Sequence, residues 1–174
     1  VKINLNADEV KSILILPEVE NLSMTYFVSL KLIDEKNNII SNNFYWLSKK
    51  KDVLDFPKTT WWITPIKEFA DLTQLHNLKQ TKINFKKNFY EKKDRVDFLI
   101  ELENPTDNIA FCLELAILKQ KGGESILPIF LEDNYFSLLP KEKRIIKGYY
   151  FKKDYTGFKP VVRLSGWNVK ELEK

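Results

Sequence analysis

The sequence has few of the residues that carry the commonest kinds of site chemistry. Its 174 residues include one cysteine, Cys112, and one histidine, His76. A single cysteine permits no disulfide within the chain, and this pair falls short of the four ligands of a structural zinc site. Because no base stands beside Cys112 in sequence, we expect a buried, inert thiol, and we expect neither a metal nor a cofactor.

Arginine is also scarce, and long apolar runs are missing. Only three of the 28 basic residues are arginines, and the net charge is +4. Proteins that bind nucleic acids favour arginine forks, so we expect the lysine pairs at solvated turns and strand edges and no nucleic-acid partner. No run approaches the roughly 18 apolar residues of a membrane helix, and residues 1–6 alternate instead of forming the apolar stretch of a signal peptide. We therefore expect no membrane partner.

Alternating apolar residues and short apolar runs are what the chain has in quantity, and both patterns are typical of β-strands. In the first 48 residues they predict strands at 1–5, 12–16, 24–34 and 39–47. From residue 79 onward they predict strands at 81–90, 95–103, 110–118, 126–131, 135–139, 144–151 and 161–164. An immunoglobulin-like sandwich needs about seven strands and about 100 residues, so the second set is a complete domain and the first is half of one.

Three of the four tryptophans, Trp46, Trp61 and Trp62, lie in or beside the segment that separates the two sets. Thr64 and Pro65 suit the start of a short helix there. We expect an all-β fold with three parts: residues 1–48 as the C-terminal half of an immunoglobulin-like domain, 49–78 as a connector with a short helix, and 79–174 as a complete C-terminal sandwich.

The residue pattern offers no catalytic residues. A retaining glycosidase needs two carboxyl groups roughly 5 Å apart, and Asp97, Glu101 and Glu103 share one strand face, which we interpret as the solvent face of a sheet. The aromatic side chains are better candidates for binding, either at an interdomain contact or on a sugar. They are Trp46, Trp61, Trp62, Tyr135 and Trp167. We favour packing for Trp61 and Trp62, because neighbours in an extended segment point to opposite sides and one ring could enter each domain.

Several motifs, in the same order, resemble the C-terminal immunoglobulin-like domains of glycoside hydrolase family 2, in its β-mannosidase and exo-β-D-glucosaminidase branch. Residues 26–32 and 41–48 resemble the end of the penultimate domain. Residues 52–55, the Trp61-Trp62 pair and residues 69–72 resemble its connector. Residues 103–106, 110–111, 126–130 and 133–140 resemble strands of the last domain.

The resemblance implies a longer parent enzyme that removes β-linked mannose or glucosamine from chain ends with two glutamates on a (β/α)₈ barrel. Those glutamates have no counterpart here, and a barrel needs about 250 residues. The implied function is that of a non-catalytic accessory region that stabilises or positions the barrel, with the barrel and the upstream domains as partners in a periplasmic or secreted protein. Two alternatives stay open, a carbohydrate-binding module with its own glycan affinity and a cell-surface adhesion sandwich. We also expect the strands of residues 1–48, which lack their upstream partners, to self-associate or to dock on the complete domain.

Overall fold

The computed structural model describes residues 2–155 and 159–174, and their regular structure is almost entirely β-strand. In these residues the strands are β1 (Thr25–Ile33), β2 (Ile39–Ser48), β3 (Val53–Leu54), β4 (Ile66–Glu68), β5 (Asn84–Glu91), β6 (Arg95–Glu103), β7 (Ala110–Leu118), β8 (Ile129–Leu131), β9 (Phe136–Leu138), β10 (Lys143–Phe151), β11 (Val161–Gly166) and β12 (Val169–Glu173). The helices of the described residues are 3₁₀-helices at Phe56–Lys58, Thr73–Asn77 and Lys152–Asp154. None of them is long and apolar enough to cross a membrane.

Two four-stranded antiparallel sheets form the sandwich. One has the strand order β5-β6-β10-β8, and the other has the order β12-β11-β7-β9. The first corresponds to the A-B-E-D sheet of immunoglobulin domains, and the second contains the C, F and G strands of the opposite sheet. The predicted fold class, an all-β immunoglobulin-like antiparallel sandwich, is therefore confirmed. The sequence pattern had missed β12, which follows directly on the turn at Trp167 and Asn168.

The core lies between the two sheets and follows the period of two that the sequence predicts. In β6 the buried side chains are Val96, Phe98, Ile100 and Leu102, while the intervening residues are exposed or half-buried. Strand β7 buries Leu113, Leu115 and Ile117 in the same alternating way. The two inner faces meet in one apolar cluster, and because successive side chains point to opposite faces, every strand also presents a second set of side chains on the outside.

Asn168 connects three segments of the sandwich from a fully buried position. Its Oδ1 accepts a hydrogen bond from the Phe111 backbone N–H at 2.9 Å, and its Nδ2 donates to the carbonyl oxygens of Ile109 at 2.7 Å and Lys79 at 2.8 Å. Buried polar groups have to be hydrogen-bonded. From the β11–β12 turn, the Asn168 side chain supplies hydrogen-bond partners to backbone groups at the start of β7 and in the chain that enters the sandwich. These bonds fix where the connecting chain joins the domain.

Strand β7 has an irregularity at Cys112, where φ is 51° and the register with β9 shifts between Ala110 and Leu113. Farther along, the Asn134 side chain takes the place of a neighbouring strand, since its Oδ1 accepts from the Leu115 N–H at 2.8 Å and its Nδ2 donates to the Leu115 carbonyl at 3.0 Å.

The Cys112 thiol is only partly buried. That burial, with the nearby Glu114 carboxylate, raises its pKa, so the thiolate that would be needed for nucleophilic chemistry is disfavoured.

The amino-terminal part of the chain is less regular than the sequence predicts. The strands expected at residues 1–5 and 12–16 are wrong for the described residues 2–24, which contain no strand and expose most of their apolar side chains. A short apolar run becomes a buried strand only beside a partner strand, and the described residues provide none. Strands β1 and β2 form a two-stranded sheet, and the turn between them is held by Asp34, whose Oδ1 accepts from the Asn38 N–H at 2.7 Å.

The helix that we expected to begin at Pro65 is also wrong. Residues 66–68 form β4, which pairs with β3, as in Val53 with Glu68. Pairing with β3 satisfies backbone groups that a single helical turn would leave open, and this tertiary effect outweighs the local capping signals. A 3₁₀-helix follows later, at Thr73–Asn77.

The chain divides into two compact units, residues 1–27 with 46–72 and residues 28–45 with 73–174. In the first unit, the buried Thr25 hydroxyl donates to the Asp71 carbonyl at 3.0 Å, and the Ala70 N–H donates to Asp52 Oδ1 at 2.7 Å. The second unit contains the sandwich. The domain boundaries that we expect at 48/49 and 78/79 stay predictions.

We predict that Asn168→Ala lowers the free energy of unfolding by about 2–3 kcal/mol, because it leaves buried backbone donors and acceptors without partners. Chemical denaturation of the purified chain measures the change. The matched control is Asn88→Ala on the exposed side of β5, which we expect to change stability by less than about 0.5 kcal/mol. Equal stability of both variants would contradict the role given to Asn168.

Candidate binding surfaces

Trp61 and Trp62 lie together at the tip of the loop that joins β3 to β4. The loop is closed at its base by the Asp55 N–H, which donates to the Pro65 carbonyl at 2.8 Å, and near its tip by the Thr60 N–H, which donates to the Ile63 carbonyl at 2.9 Å. Both tryptophans therefore occupy the turn itself, and their side chains are 95% and 68% exposed.

The burial that we expected for Trp61 and Trp62 is wrong. The expectation assumed an extended segment in which neighbouring side chains point to opposite sides, but residues at the tip of a turn project outward together. The turn gives the two rings no core to enter, and Trp61 is the most exposed apolar residue of the loop. Their role, at an interdomain contact or on a sugar, stays a prediction.

The other predicted aromatic residues are dispersed. Trp46 lies on β2 and Tyr135 in the loop before β9, and both are exposed. Tyr135 has a φ of 56°, which follows from the turn that Asn134 holds. Arg144 pairs with Asp133 of the same loop through Nη2 and Oδ2, 2.5 Å apart, so the Asp133-Asn134 pair serves the turn.

Trp167 is held more firmly than its exposure suggests. Its side chain is 51% exposed, yet its Nε1 donates to the Leu75 carbonyl at 2.9 Å. Its ring lies 5.4 Å from that of His76 and 6.3 Å from that of Phe111, measured between centroids. A half-exposed indole with its polar atom already bonded is pre-organised for contact with another molecule. The ring also fixes the 3₁₀-helix to the β11–β12 turn.

A polar cleft of about 1070 Å³ lies in the second unit, between the β2 residues Ile39–Asn42 and the outer face of the sheet formed by β5, β6 and β10. Two salt bridges involve residues of its lining. Lys31 Nζ lies 2.6 Å from Glu142 Oε1, and Lys143 Nζ lies 3.2 Å from Glu103 Oε1. The hydrogen bond and the charge of Lys143 lower the pKa of the Glu103 carboxyl. A general acid needs a raised pKa, so Glu103 is unsuited to that role and fits the expected solvent face.

An aromatic cluster on the outer face of the same sheet had escaped the sequence analysis. The Phe130 and Tyr149 rings are stacked, 4.7 Å apart between centroids and 12° from parallel, and Phe151 meets both of them edge-on. The Arg95 guanidinium lies 4.7 Å from the Tyr149 centroid. The only sequence signal was the recurrence of Tyr149 and Phe151 at alternate positions of β10, since the partner ring comes from a different strand. A groove of about 490 Å³ adjoins the cluster.

Metal binding has no support in the described part of the chain, which contains no group of three or more His, Cys, Asp and Glu side chains able to hold an ion. The arrangement offers binding surfaces instead. They are the tip of the β3–β4 loop that bears Trp61 and Trp62, which we call the tryptophan loop, the rigid Trp167 ring, the polar cleft and the outer aromatic cluster.

Comparisons with known proteins agree with one another. A family model described as the exo-β-D-glucosaminidase Ig-fold domain matches residues 61–169. An exo-β-D-glucosaminidase of Arthroderma benhamiae is 34% identical over 145 residues, which are 83% of this chain and 16% of that protein. One of Amycolatopsis orientalis is 35% identical over 155 residues, which are 87% of this chain and 15% of that protein.

Solved structures match just as well. The crystal structure of the Amycolatopsis orientalis exo-chitosanase CsxA superposes with a TM-score of 0.86 at 33% identity, over 91% of this chain and 19% of that one. A complex of CsxA with PNP-β-D-glucosamine gives the same values. The chain thus spans less than a fifth of the length of these relatives, and the matched family covers the sandwich that we describe.

We predict that Lys143→Ala raises the pKa of Glu103 towards that of an ordinary glutamate, because Lys143 is the main cause of its lowering. Nuclear magnetic resonance titration of the side-chain carboxyl measures it, with Lys147→Ala as the control. Since the folded pKa lies below the unfolded one, the pair stabilises the fold above the ordinary pKa, and that contribution is lost as pH falls through the folded value. An unchanged Glu103 pKa in Lys143→Ala would disprove the assignment.

Proposed function

Because the chain belongs to the family of exo-β-D-glucosaminidase immunoglobulin-like domains, we propose that it is the non-catalytic accessory region of a longer, exo-acting glycoside hydrolase and that it stabilises or positions the catalytic barrel. The observation that carries the proposal is the exposure of Trp61 and Trp62 at the tip of one loop. The small share of the relatives' length that this chain spans supports the existence of a partner region in the parent.

The physical argument concerns apolar surface. Covering one exposed tryptophan removes roughly 200 Å² from water, which at 25 cal/mol per Å² is worth about 5 kcal/mol as an upper bound. Tryptophan is among the residues enriched in the energetic centres of interfaces. A short loop fixed by backbone hydrogen bonds at its base and near its tip presents the two rings with little entropy to lose on docking. The tryptophan loop therefore has the properties of an anchor for the rest of the parent.

For the parent we propose hydrolysis of β-linked glucosamine rather than mannose, because the matched family and both curated relatives bear the name exo-β-D-glucosaminidase. The family resemblance further supports a retaining barrel enzyme that is periplasmic or secreted. The second candidate function is a carbohydrate-binding module, which the rigid, half-exposed Trp167 ring favours.

We predict that the purified chain hydrolyses neither a chromogenic β-glucosaminide nor a chromogenic β-mannoside. Its outer-face carboxylates Asp97 and Glu103 pair with Arg95 and Lys143, and the pKa of Glu103 is lowered. The measurement is release of the chromophore, with an Asp97→Asn, Glu103→Gln double variant as the control for contaminating enzyme. Turnover that the double variant abolishes would refute the prediction.

We predict that Trp61→Ala and Trp62→Ala act only in the longer parent. In the isolated chain both side chains are exposed, so each change should alter the free energy of unfolding by no more than about 0.5 kcal/mol. In the parent each should lower the midpoint of thermal unfolding and the specific activity, because it removes an interdomain contact. The control is Val10→Ala, which also truncates an exposed apolar side chain. A parent with unchanged stability and activity in both tryptophan variants would contradict the docking role.

We predict self-association of the chain through the β1–β2 sheet. This sheet has two strands and exposes Leu32 and Ile40, and a two-stranded sheet offers its edges for pairing. Sedimentation velocity should show a concentration-dependent increase in mass that a Leu32→Lys, Ile40→Lys double variant removes. The control is Leu127→Lys, an exposed leucine outside that sheet. A chain that remains monomeric at all concentrations would exclude this contact.

A further inference from the structure

The outer face of the A-B-E-D sheet has a continuous row of side chains that crosses all four strands. Tyr90 of β5 is paired with Asp97 of β6, Asp97 with Tyr149 of β10, and Tyr149 with Phe130 of β8. Paired residues of adjacent strands lie on the same face. Three aromatic rings and one carboxylate therefore form a single line on the face opposite the core, which we call the outer aromatic row.

The outer aromatic row adds nothing to the apolar core. The inner face beneath it is filled by Phe98, Ile146 and Tyr150, which are almost completely buried. Tyr90 and Phe130, at the two ends of the row, remain 50% and 42% exposed. Large aromatic rings kept in water on one line are typical of binding surfaces and unusual for a sheet face that only needs to be solvated.

The row is also pre-organised. The Tyr149 ring contacts Phe130 on the β8 side and the Arg95 guanidinium as a second neighbour, while Arg95 Nε is held by Asp97 Oδ1 at 2.7 Å. A Cβ at Gly148 would collide with the Phe98 ring and with the Phe130 carbonyl oxygen. The glycine thus allows β8 to approach β10 closely enough for the rings to stack.

The groove beside the row combines this aromatic wall with charged side chains. It holds about 490 Å³ and is lined by Leu99 and Tyr149 together with Arg95, Asp97, Glu132 and Lys147. That volume lies in the range of small-molecule sites, roughly 300–1,000 Å³. Charged side chains are depleted at the centre of protein interfaces, and four of them line this groove. The lining therefore favours a ligand with both apolar and hydrogen-bonding faces.

A pyranose ring has that combination. In a β-linked sugar, axial C–H groups give the ring an apolar face that stacks on an aromatic side chain, and equatorial hydroxyl or amino groups point sideways to hydrogen-bond partners. Here Phe130 and Tyr149 would supply the aromatic wall, and the carboxylates of Asp97 and Glu132 would accept from hydroxyl or ammonium groups. We propose that the groove along the outer aromatic row binds a short stretch of β-1,4-linked pyranose chain, as an ancillary site. The proposal rests on the proposed function only in so far as the parent acts on such chains.

The test is a titration of the purified chain, followed by nuclear magnetic resonance of backbone amides, with the hexamers of chitosan, chitin and cellulose as separate probes. Saturable shifts centred on β8 and β10 are expected. Binding of the chitosan hexamer alone would assign the site to amino sugars, and binding of all three to the shared pyranose face. Both results support the site.

The variants are Phe130→Ala and Tyr149→Ala, each of which should weaken binding by about tenfold, the equivalent of one lost stacking contact. Tyr149→Phe keeps the stack and should bind like the unmodified chain, and Tyr135→Ala, an exposed tyrosine outside the row, is the matched control. Amide spectra of each variant confirm that it is folded.

Three results of the sugar titration would overturn the proposal. They are no shifts with any hexamer, shifts confined to the tryptophan loop or to Trp167, and equal binding by Phe130→Ala. Self-association that Phe130→Ala abolishes, without sugar binding, would assign the row to a protein contact and would also overturn it. Apart from shifts confined to the tryptophan loop, none of these results bears on the docking role of Trp61. That role is tested by stability in the longer parent, so the two failures are distinguishable.

Discussion

The face-to-face packing of two sheets is the constraint on which the rest of this structure depends. Burial of Phe98, Ile100 and Leu113 between the sheets commits alternate residues of each long strand to the core, and the pleat then commits the others to the surface. The character of the outer surface is thereby free to vary, and it differs along one sheet. At one end β6 and β10 present paired charges around a polar cleft, and at the other β8 and β10 present stacked rings.

The strands of the sandwich could be predicted because their partners are in the chain and their periodicity is long. β6 follows the expected alternation over nine residues, and β7 follows it from Phe111 to Ile117. The errors lie where a strand partner decides the outcome. Residues 12–16 have the composition of a buried strand but no partner in the described chain, and Ile66–Glu68 carries helix-start signals but pairs with β3. The local sequence shows neither the lack of a partner strand for residues 12–16 nor the pairing of Ile66–Glu68 with β3.

The candidate surfaces likewise include features that the sequence predicted and features that only the folded structure determines. Trp61, Trp62 and Trp167 were recognisable from the sequence as unusual residues, but their exposure was not, because it depends on turns closed by backbone hydrogen bonds and on the bond from Trp167 to Leu75. The outer aromatic row was not recognisable at all. Its members come from four strands separated by up to 59 residues, from Tyr90 to Tyr149, and only the register of the sheet aligns them.

The alignment of the outer aromatic row depends on the absence of a side chain at Gly148. Because the space where its side chain would stand is taken by Phe98 on the core side and by the backbone of β8, any larger residue would separate two strands and the rings that they bear. A substitution there, or a bulkier side chain at position 98, would alter the outer surface without replacing any residue on it. A change in the interior around this glycine can therefore reshape the outer face even where every surface residue is the same.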